Sequence, residues 1–167
     1  MGALDRSDLV VPRLPYYVLL HNLRSAHNAG SIVRLCDNFA LEGVILTGFT
    51  AGPDHRGFQS AAMHSHEYTP IKRYSGPLEA LADHPDYPLL ALESTEASVD
   101  LARFEWPDRG ILVAGSEFHG VSDELLMRSM VTLSIPLFGR KACLNVSNAV
   151  AISLYDLRLK KTDARAR

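Results

Sequence analysis

The segment Tyr16-Tyr17-Val18-Leu19-Leu20-His21 decides the fold once it is read together with residues 22–47. It is short, aromatic and branched, a composition that favours a buried strand. A polar loop from Asn22 to Asn28 comes next. Ile32, Leu35, Cys36 and Phe39 then recur at helical spacing, which predicts a helix from about Ala29 to Ala40. Gly43 introduces a second apolar strand, Val44-Ile45-Leu46-Thr47. Strand, helix, strand is the rhythm of a parallel sheet with crossover helices.

Outward from that unit the rhythm continues. Phe58 to Met63 reads as a short helix, and Tyr68 to Tyr74 as a strand interrupted by Pro70. Pro77 to Ala82 is a helix with proline well placed in its first turn. Leu89 to Leu92 and Ile111 to Ala114 are inner strands, separated by a loop with weak helical character. Ser122 is expected to cap a helix ending near Arg128, with Asp123 and Glu124 in its first turn. Val131 to Ile135 is the next strand, and Val146 to Leu159 the last helix. The expected fold is α/β, a mostly parallel sheet of five or six strands with helices on both faces. Residues 1–15 read as a short leader broken by Pro12 and Pro15, residues 16–159 as one domain, and 160–167 as a basic tail.

The bulk numbers bound the function. At 167 residues one domain is expected, and 47% apolar with 22% charged residues is ordinary globular composition. A net charge of -2 argues against a polycation that coats nucleic acid, although a local basic patch is compatible with it. Cys36 and Cys143 form no disulfide framework, so a reduced, cytoplasmic setting is expected. No apolar run approaches membrane-spanning length, and the first residues do not read as a signal peptide. The final ten residues hold Arg158, Lys160, Lys161, Arg165 and Arg167 against one aspartate and read as a frayed end or a surface contact.

Three polar loops come after strands, where ligands sit in open α/β sheets. The first runs from Asn22 to Arg34, the second from Ala114 to Val121, and the third from Ile135 to Asn145. Their glycines match neither a dinucleotide fingerprint nor a triphosphate loop, and no Gly-x-Ser-x-Gly elbow occurs. Arg34 reads either as a solvated surface cation or as a guanidinium that grips a phosphate or a hydroxyl. Asn28, Asn145 and Ser147 read as helix caps or as site residues, and Glu117 as a capping group, a ligand acceptor or a partner that positions Arg34. Asp54, His55, His64 and His66 form the densest histidine region, but their spacing fits no zinc site and no metal is expected. Cys143 precedes a helix start, which favours a thiolate, yet no histidine partner is visible.

Read together, the loops resemble a known family. Leu23-Arg24, Asn28-Ala29-Gly30-Ser31-Ile32-Val33-Arg34, then Val113-Ala114-Gly115-Ser116-Glu117-Phe118-His119-Gly120, then Ile135-Pro136-Leu137, Gly139 and Leu144-Asn145-Val146-Ser147 look like the three ordered motifs of SpoU/TrmH-type RNA 2′-O-ribose methyltransferases, of the SPOUT superfamily. The resemblance covers about residues 16–158. It implies a C-terminal trefoil knot, a homodimer, and S-adenosylmethionine as methyl donor. It implies catalytic roles for Arg34, Asn28, Glu117 and Asn145. Arg34 would help activate the ribose hydroxyl. Leu112, Val113, Gly115, Gly120, Leu133, Ile135, Leu137, Cys143, Leu144 and Asn145 would form the cofactor site, with backbone groups near Leu112, Val113, Leu133 and Leu137 on the adenine and ribose. Arg24, Arg34, Arg56, Arg140 and Lys141 would meet the RNA.

The sequence departs from the family pattern at several points. Cys143 stands where serine is usual, Asn148 where a small apolar residue is, Ala26 where proline is common and Ala40 where glycine is frequent. His64-Ser65 replaces the usual Gly-Ala. With so short a stretch before the first strand, RNA is expected to be held by the catalytic domain, its dimer or an accessory protein. tRNA is the preferred substrate over rRNA, because single-domain relatives often act on tRNA. The rival reading is a non-catalytic RNA-binding or assembly protein on the same fold.

Overall fold

A computed structural model describes residues 12–141 and 143–165. Its strands are β1 (Leu14–His21), β2 (Leu41–Thr47), β3 (Ile71–Tyr74), β4 (Leu89–Leu92), β5 (Val99–Asp100), β6 (Gly110–Ala114) and β7 (Val131–Ser134). Its helices are α1 (Ala26–Asn38), α2 (Arg56–Ala62), α3 (Pro77–Ala82), α4 (Asp123–Arg128) and α5 (Val146–Arg165). Single 3-10 turns occupy Ser65–Glu67 and Leu101–Arg103.

The strands form one seven-stranded sheet in the order β3-β2-β1-β6-β4-β7-β5, and every pairing is parallel. The expected count of five or six is therefore too low. The extra strand is β5, which lies in a stretch read as loop. Two residues are too few to carry an alternating pattern, and β5 exists because its backbone pairs with β7.

The central strand explains the two layers. In β1, Tyr16, Val18 and Leu20 point to one face, and Tyr17 and Leu19 to the other. The first face packs on Ile32, Val33 and Cys36 of α1, Phe58 of α2, and Val150, Leu154 and Leu157 of α5. The second packs on Ala80 of α3 and Leu125 of α4. Burial on both faces makes β1 and β6 continuous apolar runs, as parallel sheets require.

Several boundaries move. Helix α1 begins three residues before the expected Ala29, because Ser25 caps it: its hydroxyl accepts from the Asn28 backbone N–H at 3.2 Å. Asn28 is thus in the first turn and is not the cap. Ser122 stands at the start of α4, but its side chain makes no capping bond. Helix α5 runs past the expected end at Leu159 to Arg165. Lys160 Nζ donates to the carbonyls of Leu101, Ala102 and Phe104 and pairs with Asp156 at 3.0 Å. Lys161 Nζ donates to the Trp106 carbonyl at 2.8 Å. These two cations of the expected tail therefore clamp α5 to the 101–107 segment. Residues 1–11 of the expected leader, and Ala166 and Arg167 of the tail, lie outside the described residues.

Candidate active site

All strands being parallel, their carboxyl ends share one edge, and the three polar loops leave from it. The strand order reverses beside β1, between β2 on one side and β6 on the other. The loop after β1 and the loop after β6 meet there, at the position where open α/β sheets bind ligands.

Glu117 joins them. One of its oxygens, Oε2, accepts from the Arg24 backbone N–H at 2.9 Å. Oε1 accepts from the Ser25 backbone N–H at 3.0 Å and from Asn28 Nδ2 at 2.9 Å. A carboxylate at the start of α1 also opposes the positive end of the helix. Partial burial pushes the Glu117 carboxyl upward. The hydrogen bonds from the Arg24 backbone, the Asn28 side chain and the Ser25 backbone outweigh that push and hold it below its ordinary 4.5. The option that Glu117 positions Arg34 gives way to this arrangement: its bonds go to Arg24 and Ser25 just before α1 and to Asn28 in its first turn, and none reaches Arg34.

The third loop is tied in through Asn145. Its Oδ1 accepts from the Ser147 backbone N–H at 2.9 Å and from the Ser147 hydroxyl at 2.6 Å, which caps α5. That fixes Nδ2 as the free donor, and Nδ2 reaches Asn28 Oδ1 at 3.2 Å. Asn145, Asn28 and Glu117 form one directed chain through all three loops. Arg34 lies further along α1 in a cleft of about 350 Å³ between α1 and α5, with Ser31, Asn38, Ser147 and Asn148 around it. Its side chain is exposed, and no described group neutralises it.

The second loop is shaped by its glycines. A Cβ on Gly115 would come 1.9 Å from the Gly120 carbonyl oxygen, and Gly120 has φ +64°. Both positions demand glycine. The Gly120 N–H donates to the Ser116 carbonyl at 2.8 Å. Glu93, at the carboxyl end of β4, secures the turn: its Oε2 accepts from the Val121 N–H at 2.9 Å. Sequence reasoning alone puts Glu93 in a loop without a role. The signal that could have found it is an acidic residue directly after a four-residue apolar strand.

Of the expected cofactor residues, Leu112 and Val113 lie inside β6 with ladder partners on both β1 and β4. Leu133 is paired to β4 and β5, and its carbonyl accepts from the Glu93 N–H at 3.0 Å. Strand pairing engages the backbone of these three residues, and the loops that follow β6 and β7 begin directly after them. Ile135, Leu137, Cys143 and Leu144 lie in the third loop, Ile135 half-buried and the rest exposed. Arg24 stacks over the exposed Phe118 ring at 5.1 Å. Arg56 is exposed at the start of α2, and Arg140 and Lys141 are exposed in the third loop.

Comparison with known proteins agrees with this geometry. Residues 15–155 match the model of the SpoU rRNA Methylase family. The tRNA (guanosine(18)-2′-O)-methyltransferase of Aquifex aeolicus is 27% identical over 149 residues, covering 87% of this chain and 70% of the relative. The 23S rRNA (guanosine(2553)-2′-O)-methyltransferase of Bacillus subtilis is 28% identical over 144 residues, covering 84% of this chain and 57% of that protein. Among solved structures, the AdoMet-bound rRNA methyltransferase of Sinorhizobium meliloti superposes with a TM-score of 0.81 at 27% identity, covering 91% of this chain and 59% of the other.

Proposed function

The chain belongs to the SpoU methylase family of S-adenosylmethionine-dependent RNA ribose 2′-O-methyltransferases, and from that premise we propose that it methylates a ribose 2′-hydroxyl in tRNA. The observation that carries the reading is the Asn145–Asn28–Glu117 chain, which joins all three loops beside an arginine that no described group neutralises. For tRNA over rRNA, the support is that the Aquifex relative, 70% of which the match spans, is a tRNA enzyme.

The residues present fit the methyl donor. Gly115 and Gly120 keep the second loop too tightly folded for a Cβ at either position, and Ile135, Leu137 and Leu144 offer apolar surface in the third loop. Asn145 and the exposed Cys143 add polar edges. S-Adenosylmethionine supplies an electrophilic methyl on a sulfonium, so its leaving group needs little assistance. The protein's task is alignment and stabilisation of charge growing on the ribose oxygen. Arg34 is the group for that task. Its fork orients the hydroxyl or the adjoining phosphate, and its permanent charge rules it out as the proton acceptor. Asn28, Glu117 and Asn145 position α1 and α5, and with them the Arg34 cleft. Arg24, Arg56, Arg140 and Lys141 contribute local positive charge to RNA binding, which makes affinity salt-dependent.

The same proposal includes a homodimer, a C-terminal trefoil knot and work in the cytoplasm. Ile152, Tyr155 and Leu159 recur on one face of α5 and are 43%, 57% and 47% exposed, which suits a second copy. The knot draws support from the path of the last segment, which leaves β7 near one sheet edge and returns to pack α5 on α1.

The test is calorimetric titration with S-adenosylhomocysteine, followed by transfer of labelled methyl to tRNA. Micromolar binding and 2′-O-methylation are expected. Arg34→Ala should abolish transfer and leave the titration unchanged. An Arg34→Ala enzyme as active as wild type would remove the role given to Arg34. A folded protein that binds RNA but no S-adenosylhomocysteine, with or without RNA, would favour the non-catalytic reading.

A further inference from the structure

A second cleft, of about 340 Å³, opens beyond the carboxyl ends of β2 and β3. Phe49, Thr50, Gly52, Asp54, His55 and Arg73 line it. None belongs to the three motifs, and the proposed chemistry uses none of them. An exposed ring alone says little. Here Phe49, 63% exposed, stands beside a guanidinium, an imidazole and a carboxylate.

Hydrogen bonds orient both Arg73 and His55. Arg73 Nη2 donates to the Thr50 carbonyl at 2.8 Å, which holds the fork at the cleft. Gly52 makes room for it: a Cβ there would come 2.8 Å from Nη2 and 3.3 Å from Asp54 Oδ1. His55 Nδ1 accepts from the Gly57 N–H at 3.0 Å. Its ring proton in the neutral form is therefore on Nε2, as a donor. The cleft thus combines an aromatic face, two donors and one acceptor. Asp54 disfavours a bare phosphate, whereas a nucleobase can stack on the ring and use both donors and an acceptor on its edge.

The cleft is also built onto the catalytic loop. The Phe49 N–H donates to Asn22 Oδ1 at 3.3 Å, and the Leu23 N–H donates to Thr50 Oγ1 at 3.0 Å. The next two amides, of Arg24 and Ser25, are those held by Glu117. Asn22 Nδ2 in turn donates to His21 Nε2 at 3.1 Å, so that His21 Nδ1 donates to Thr47 Oγ1 at 3.0 Å. Burial lowers the pKa of His21 against the opposing pull of Glu124, which suits this neutral form. One short strip of chain therefore separates the cleft from the Asn28 site.

We propose that this cleft is a base subsite, in which an unpaired RNA base near the methylated nucleotide stacks on Phe49 and is read by Arg73, His55 and Asp54. The proposal rests on the reading of the chain as an RNA ribose methyltransferase. It is tested with tRNA transcripts substituted with 4-thiouridine, photo-crosslinked to the full chain and mapped by peptide mass. Phe49→Ala and Phe49→Tyr are compared with wild type for tRNA affinity and for S-adenosylhomocysteine binding.

A crosslink within the segment 49–56 is expected. Phe49→Ala should weaken tRNA binding roughly tenfold, Phe49→Tyr should stay within about twofold of wild type, and all three should bind S-adenosylhomocysteine alike. Crosslinks confined to other segments, with Phe49→Ala binding tRNA as wild type does, would overturn the subsite and leave the enzyme reading intact. Wild-type protein that binds neither tRNA nor S-adenosylhomocysteine would overturn the enzyme reading and the subsite with it.

Discussion

Asn145 Nδ2 donates to Asn28 Oδ1 across 3.2 Å, joining residues 117 positions apart in the chain. The bond links the start of α5 to the first turn of α1, the two helices that flank Arg34. Asn145→Ala removes it together with the cap on α5. Loss of a cap and one exposed hydrogen bond costs about 1–2 kcal/mol, so the melting temperature should fall by only several degrees. Methyl transfer should fall at least tenfold, because small displacements at a reacting centre are costly. Steady-state kinetics beside a thermal melt checks the split; loss of stability with unchanged kcat would make the bond purely structural.

Glu117 gives a pH dependence with a fixed sign. Its folded-state pKa lies below the ordinary 4.5, so its contribution to stability is complete above 4.5. That contribution is lost as pH falls through the depressed value. Glu117→Gln should melt below wild type at neutral pH, and the two curves should converge as pH falls below 4.5 and through the depressed value. Melting both proteins between pH 3 and pH 7 measures this; a constant gap across the range would deny the carboxylate its part.

Two departures from the family pattern coincide with unusual backbone. Ala40, where glycine is frequent, has φ +52°, and His64, in place of the usual glycine, has φ +68°. The left-handed region costs a residue with a Cβ about 1 kcal/mol. Glycine gives back part of that gain through unfolded-chain entropy. Ala40→Gly should therefore leave the protein equally stable or raise its melting temperature by about 1–3 °C. A drop beyond that range would show that the methyl of Ala40 is needed for packing.

The outward face of α5 predicts an assembly. Tyr155→Asp puts a charge between Ile152 and Leu159 on that face. Light scattering after size exclusion should find wild type as a dimer and the variant as a monomer. A monomeric wild type would remove the partner assigned to this face.

Much of this architecture is legible in the sequence because parallel strands buried on both faces advertise themselves. Leu89–Leu92 and Pro77–Ala82 have the ends that the sequence predicts. Apolar runs and a proline in the first turn are local signals. Ser25 is harder, since Asn28 is an equally good cap by residue type and the Glu117 carboxylate that grips the Ser25 amide lies 92 residues away in the chain. Glu93 and the Lys160–Lys161 clamp depend on strand order and on what lies across from a helix end. No window along the chain contains that information. Resemblance gathers the motif residues. That Glu117 serves the first loop, with no bond to Arg34, emerges only from the three-dimensional arrangement.

The amides of Leu23, Arg24 and Ser25 have a consequence for ligand choice. All three are already engaged, by Thr50 and by Glu117. The start of a helix ordinarily invites a phosphate, but α1 carries its own anion in the form of a side chain. Inorganic phosphate or sulfate approaching that end of α1 meets the negative charge of Glu117, which works against a free oxyanion there. Guanidinium and ammonium groups such as those of Arg34, Arg140 and Lys141 meet a polyanion without that conflict and leave the loop that Glu117 ties together in place.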